Sequence, residues 1–170
     1  MVAIPTQGSA AQTGITTEQR RLTTWLAKRQ SLLAIYWKLS GLSAAFEKEN
    51  PSAEELAWFS QALVDYLAEG HFVIYTQLIE DINAHLPEAQ PQINFLYSSL
   101  LNSTNSLVDI SDETAKMTID EFVAKHDTVL AHFGHDWAHH LEMEDNLIKY
   151  WQEANDAYEE PCDFVAREGS

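Results

Sequence analysis

The sequence predicts an all-α protein: an up-and-down antiparallel four-helix bundle with one or more broken or extra short helices. Three observations predict it. Apolar residues recur every three or four positions from near residue 17 to near residue 158, no segment alternates as a strand would, and glycine and proline fall at the joints. At 170 residues with 45% apolar content, the chain supports one sizeable core.

The first helix opens at Thr16, which with Gln19 three residues later forms a capping-box pattern. Leu22, Trp25, Leu26, Leu32, Leu33, Tyr36 and Leu39 make its apolar stripe, and Gly41 stops it. Pro51-Ser52 with Glu55 opens the second helix by the same logic. It runs at least to Glu69 and extends to Leu86, before Pro87, if Gly70 weakens it without breaking it. A third helix spans about Pro91 to Val108 and gives way to the polar stretch that holds Asn102, Asn105, Ser111 and Asp112. The fourth begins at Thr118, boxed by Glu121, and reaches toward Tyr158 with a weak point at Gly134. Residues 16–158 are therefore expected to form one domain, between a disordered arm (1–15) and a flexible acidic tail (159–170).

Charge is distributed unevenly. Residues 1–40 hold five basic side chains against Glu18, a net of +4, whereas the remaining residues hold five basic against 25 acidic, a net of −20. A surface rich in carboxylates repels phosphate backbones, so no direct nucleic-acid binding is expected, and it attracts basic partners. No apolar run approaches the roughly 18 residues of a membrane span, so no membrane association is expected. Met1 to Gly14 lack the basic start and apolar centre of a secretory signal, which points to the cytoplasm. The single cysteine, Cys162, excludes an internal disulfide and a thiolate metal cluster.

Polar residues on apolar stripes are the candidates for function. Arg29 occupies an apolar position of the first helix, and Glu144 one of the last, where it interrupts Phe122, His126, Leu130, Phe133, Trp137, Leu141, Ile148 and Trp151. A buried pair of Arg29 with Glu144, or with Asp65, would satisfy the guanidinium. In the second helix, Leu63, Leu67, His71, Ile74 and Leu78 follow one stripe and Trp58, Asp65 and Phe72 another. A helix apolar on two faces is either sandwiched in the bundle or keeps one face for a partner. A carboxylate beside an aromatic anchor suits a basic amphipathic helix.

The histidines offer a competing reading. His132, His135, His139 and His140, followed by Glu142, Glu144 and Asp145, stand at helical spacings used by di-iron or zinc bundles, and His135, His139, His140 and Asp145 are the candidate ligands of a hemerythrin-like site. The matching His-x3-Glu on a second helix is missing, since Tyr75 follows His71 and Ala89 follows His85 at that distance. Enzymatic signatures are missing too. Asp65 and His71 are six residues, or about 600°, apart on a continuous helix, and cannot act as an acid/base pair. There is neither a phosphate loop nor a nucleophile elbow, so the chain reads as a binder without a cofactor.

Three blocks carry a resemblance to a known family. They are Trp25-Leu26 with Arg29, Leu32-Leu33, Tyr36, Leu39 and Gly41; Leu63-Val64-Asp65-Tyr66-Leu67 with Gly70-His71-Phe72 and Ile74-Tyr75; and Glu144-Asp145 with Leu147-Ile148. In these blocks the chain resembles the bacterial anti-sigma regulators called regulator of sigma D and the related AlgQ proteins. It departs from them at His140 and Leu141, where the family usually carries an arginine and a phenylalanine.

The resemblance implies a non-enzymatic helical bundle, monomeric or weakly dimeric. It would bind the C-terminal, promoter-recognising region of the primary sigma factor of RNA polymerase and favour alternative sigma factors as growth slows. Trp58, Asp65, Phe72 and Tyr75 are then the expected partner contacts, and Arg29, His71 and Glu144 the expected buried polar network beneath them.

Overall fold

The computed structural model describes residues 16–41 and 51–159. The expected N-terminal arm, and the tail beyond Glu159, lie outside the described residues. Helix α1 spans Thr17–Leu39, and α2 spans Ala53–Glu69. A π-helical turn, Gly70–Ile74, then leads directly into α3, Tyr75–His85. After a short 3-10 turn, Pro87–Ala89, come α4, Gln90–Ala115, and α5, Ile119–Glu159. No strand occurs among the described residues.

The helix starts are where the capping residues place them. Thr16 and Gln19, Ser52 and Glu55, and Thr118 and Glu121 each exchange side-chain and backbone hydrogen bonds across three residues. Gly41, at φ 68°, takes the left-handed conformation just beyond α1. His126 adds a cap from outside, its Nε2 donating to the carbonyl of Leu39 at 2.6 Å.

Cross-helix pairs fix the topology. Lys38 meets Glu55 and Trp25 meets Tyr66, so α2 returns antiparallel to α1. Ser103 meets His140 and Ser106 meets Asp136, which sets α4 antiparallel to α5. Phe59 packs on Phe133, Tyr75 reaches Glu144 and Trp151 donates to Asp81, so α2 and α3 run alongside α5 in the same direction. With α2, the π turn and α3 forming one rod, the result is the expected up-and-down bundle of four rods.

Two elements run differently from the sequence expectation. The third helix continues past Val108 to Ala115, because its polar residues serve the interior: Ser103 and Ser111 are buried on the same stripe as Ile93, Leu96, Leu100 and Leu107. The fourth helix passes Gly134 without a break. A Cβ there would stand 2.1 Å from the Tyr36 hydroxyl, which instead donates to the Leu130 carbonyl at 3.1 Å. The glycine is a notch for a tyrosine of α1.

Gly70 does not stop the second rod, which carries on through it as a π turn in which the Tyr75 N–H bonds to the Gly70 carbonyl, five residues back. In a regular α-helix, nine residues would place Tyr75 about 180° away from Tyr66; absorbing one extra residue cuts that to about 80°. Both tyrosines therefore turn into the bundle.

Candidate docking surface and buried polar cluster

At the centre lies a carboxylate taken out of water. Glu144 is 1% exposed, and four elements send polar groups to it. Tyr66 of α2 donates to Oε2 at 2.6 Å and Tyr75 of α3 to Oε1 at 2.5 Å. His140, one turn back on α5, stands 3.0 Å from Oε1 through Nε2. Arg29 of α1 reaches Oε2 at 3.5 Å and Asp145 at 2.7 Å. A buried ion is tolerated only when its lone pairs are satisfied, and these donors satisfy them.

The protonation pattern follows from the partners. A carboxylate only accepts, so His140 Nε2 carries a hydrogen in this geometry. Its Nδ1 lies 2.7 Å from Ser103 Oγ, whose hydroxyl is also 3.1 Å from the Leu100 carbonyl. The Ser103 hydroxyl thus lies between the imidazole and a carbonyl of its own helix.

Burial, and then the charge of Glu144, push the Tyr66 and Tyr75 hydroxyls far above the ordinary tyrosine range. For Arg29, burial alone disfavours the charged form, but the hydrogen bond to Asp145 and the nearby charges outweigh it and raise its pKa. The cluster is thus a set of neutral hydroxyls and a fixed cation around one acid.

Of the expected buried network, Arg29 and Glu144 pair as predicted, while Asp65, the other candidate partner, faces solvent and accepts from Gln61 at 2.8 Å. His71 does not join them. Its ring stacks on Tyr97 of α4 (5.4 Å, 11° between planes), and the network histidine is His140. Tyr75 corrects a second expectation: it is not a surface contact but a core residue, 1% exposed, because the π turn rotates it inward. Sequence reasoning also missed Tyr66 and Ser103. Ser103 could have been found, since it sits where the stripe of α4 demands an apolar side chain.

The remaining expected contacts face outward. Trp58 is 51% and Phe72 76% exposed, and with Asp65 they recur every seven residues along the outer face of α2 and the π turn. The four candidate metal ligands do not converge: His135 and His139 face solvent, His140 is enclosed by hydroxyls and Glu144, and Asp145 holds Arg29. Among the described residues no group of three or more such side chains is placed to hold a metal ion. None of the described helices is long and apolar enough to cross a membrane.

The class defined by this fold and site is an all-α four-rod bundle, closed at its centre by a buried carboxylate cluster and carrying outward aromatic side chains on its second rod. Residues 6–152 match the model of the family described as regulator of RNA polymerase sigma(70) subunit, Rsd/AlgQ, and the chain belongs to that family. It is similar to the regulator of sigma D of Sodalis glossinidius (strain morsitans), 32% identical over 127 residues that cover 74% of this chain and 83% of the relative. It is also similar to the regulator of sigma D of Yersinia pseudotuberculosis serotype O:1b (strain IP 31758), 29% identical over 136 residues covering 76% and 80%. No solved structure matches the chain.

Proposed function

We propose that this regulator acts as a stoichiometric anti-sigma factor, binding and sequestering the C-terminal promoter-recognising region of the primary sigma factor in the cytoplasm. The observation that carries the reading is the outward row of Trp58, Asp65 and Phe72 in a chain of net charge −16. Burying an exposed aromatic side chain is worth about 1.5–3 kcal/mol, so two of them flanking a carboxylate are suited to anchor a basic amphipathic helix. A DNA-reading helix-turn-helix is such a partner, and acidic side chains would compete with phosphate for its basic face.

Nothing in the cluster around Glu144 offers a substrate a path, because Glu144 and His140 are both enclosed; its bonds tie α1, α2, α3 and α4 to α5. The reading predicts a salt-sensitive complex with the purified C-terminal region of the primary sigma factor, measured by calorimetry. Asp65→Ala should weaken it without lowering the melting temperature. Failure of the unmodified protein to bind at low salt would sink the proposal.

A further inference from the structure

Phe72 is the more exposed of the two aromatic anchors, and the ring of His71 stands beside it. The His71 ring meets Phe72 edge to face at 5.3 Å and 81°, and meets Tyr75 edge to face at 6.2 Å and 86°. On its other side it lies parallel to Tyr97 of α4, and its Nε2 is 3.3 Å from the Tyr97 hydroxyl. The chain of rings therefore runs from the core at Tyr75 through His71 to the surface at Phe72, with Tyr97 as a brace from a different helix.

The chemistry of His71 fits a plate better than a hydrogen-bonding group. Its Nδ1 is buried without a hydrogen-bond partner among the described residues, so one contact of Nε2 with the Tyr97 hydroxyl stands against three contacts of the ring itself. A ring that leaves one nitrogen orphaned while two of its contacts are edge-to-face and one is stacked is held by its faces and edges. An exposed phenylalanine ordinarily samples several rotamers, and fixing it before docking removes an entropy cost from binding.

We infer that His71 and Tyr97 are positioning residues for partner binding: they brace Phe72 in its docking rotamer, and the ring contacts carry more of that bracing than the bond from the Tyr97 hydroxyl to Nε2. The inference rests on the proposed anti-sigma reading. It makes α4 a contributor to recognition without touching the partner.

The test is a set of variants of the full chain titrated with the C-terminal region of the primary sigma factor. Leucine at either position (His71→Leu, Tyr97→Leu) removes the stack and should weaken binding by roughly three- to tenfold, the worth of an aromatic pair. His71→Phe and Tyr97→Phe keep the rings and should bind as the unmodified protein does. In a Phe72→Ala background, Tyr97→Leu should cost nothing further. Leucine variants that bind normally, phenylalanine variants as weak as the leucine ones, or an undiminished loss in the Phe72→Ala background would each overturn the inference while leaving the anti-sigma reading intact. No binding by the unmodified protein overturns both. Melting temperatures of the phenylalanine and leucine pairs separate a general loss of fold from a loss of bracing.

Discussion

The hydroxyl of Tyr75 stands 2.5 Å from Glu144 Oε1, joining the first residue of α3 to the middle of α5 across the core. The bond exists because the π turn rotates Tyr75 inward, and it ties that turn to the longest helix of the bundle. Removing the acceptor strands two tyrosine hydroxyls, an imidazole and part of a guanidinium. Glu144→Ala should therefore destabilise the fold by about 3–5 kcal/mol. Tyr75→Phe, which removes one bond to a charged group, should cost about 1.5–3 kcal/mol. Urea unfolding followed by circular dichroism checks both.

Alkaline titration should separate the tyrosines. Tyr66 and Tyr75 have pKa values raised above the usual 10.0, so the native state resists an ionisation that the unfolded chain undergoes freely. Their contribution to stability is complete below that value and drains away as pH climbs above it. Phenolate absorbance near 295 nm from these two side chains should rise together with unfolding, and Tyr66→Phe should remove part of the late step.

At the acid end the sign reverses. The hydrogen bond from Lys38 and the Ser52 N–H hold Glu55 below its ordinary 4.5, and the Thr118 N–H does the same for Glu121. Both caps contribute fully above that value and are lost as pH falls through the lowered one. Melting temperature should decline below about pH 4.5, and Glu121→Gln should flatten that decline while keeping the helix start.

Gly134→Ala tests the notch on α5. Alanine favours a helix by about 1 kcal/mol, but its Cβ would lie 2.1 Å from the Tyr36 hydroxyl, so the variant should lose about 1–3 kcal/mol despite the better propensity. Adding Tyr36→Phe removes that atom and leaves the ring carbon at 3.0 Å, so the double variant should recover much of the loss. Additive losses in thermal unfolding would contradict the packing account.

What could be read from the sequence was what local chemistry determines. Thr16 with Gln19, Ser52 with Glu55, Thr118 with Glu121 and Gly41 announce their helix ends because caps act over three or four residues. Arg29 and Glu144 announced each other, since two charges on apolar stripes need compensation. Tyr75 was misplaced because a period of 3.6 residues was carried through a segment that does not keep it, and no side chain in Gly70–Ile74 advertises an i to i+5 bond. The polar residues of α4 read as a helix end because Ser103 and Ser111 favour turns in isolation; only the presence of His140 opposite explains Ser103 in a core. His71 and His140 could not be told apart by pattern, as each occupies an apolar stripe.

The π turn fixes the phase between the two halves of the second rod. Every residue from Tyr75 to His85 is rotated relative to the face set by α2, and Leu78, Ile82 and the Asp81 bond to Trp151 depend on that offset. Deleting one residue between Gly70 and Tyr75 would remove the bulge and leave eight regular residues between the two tyrosines, keeping the phase of about 80°, whereas inserting one would swing the whole of α3 by about 100° and turn its apolar stripe off α5. The segment therefore has a length already one residue above a regular helix: substitutions at its exposed positions adjust a surface and loss of a residue restores a plain helix in the same phase, whereas a further insertion dismantles a core.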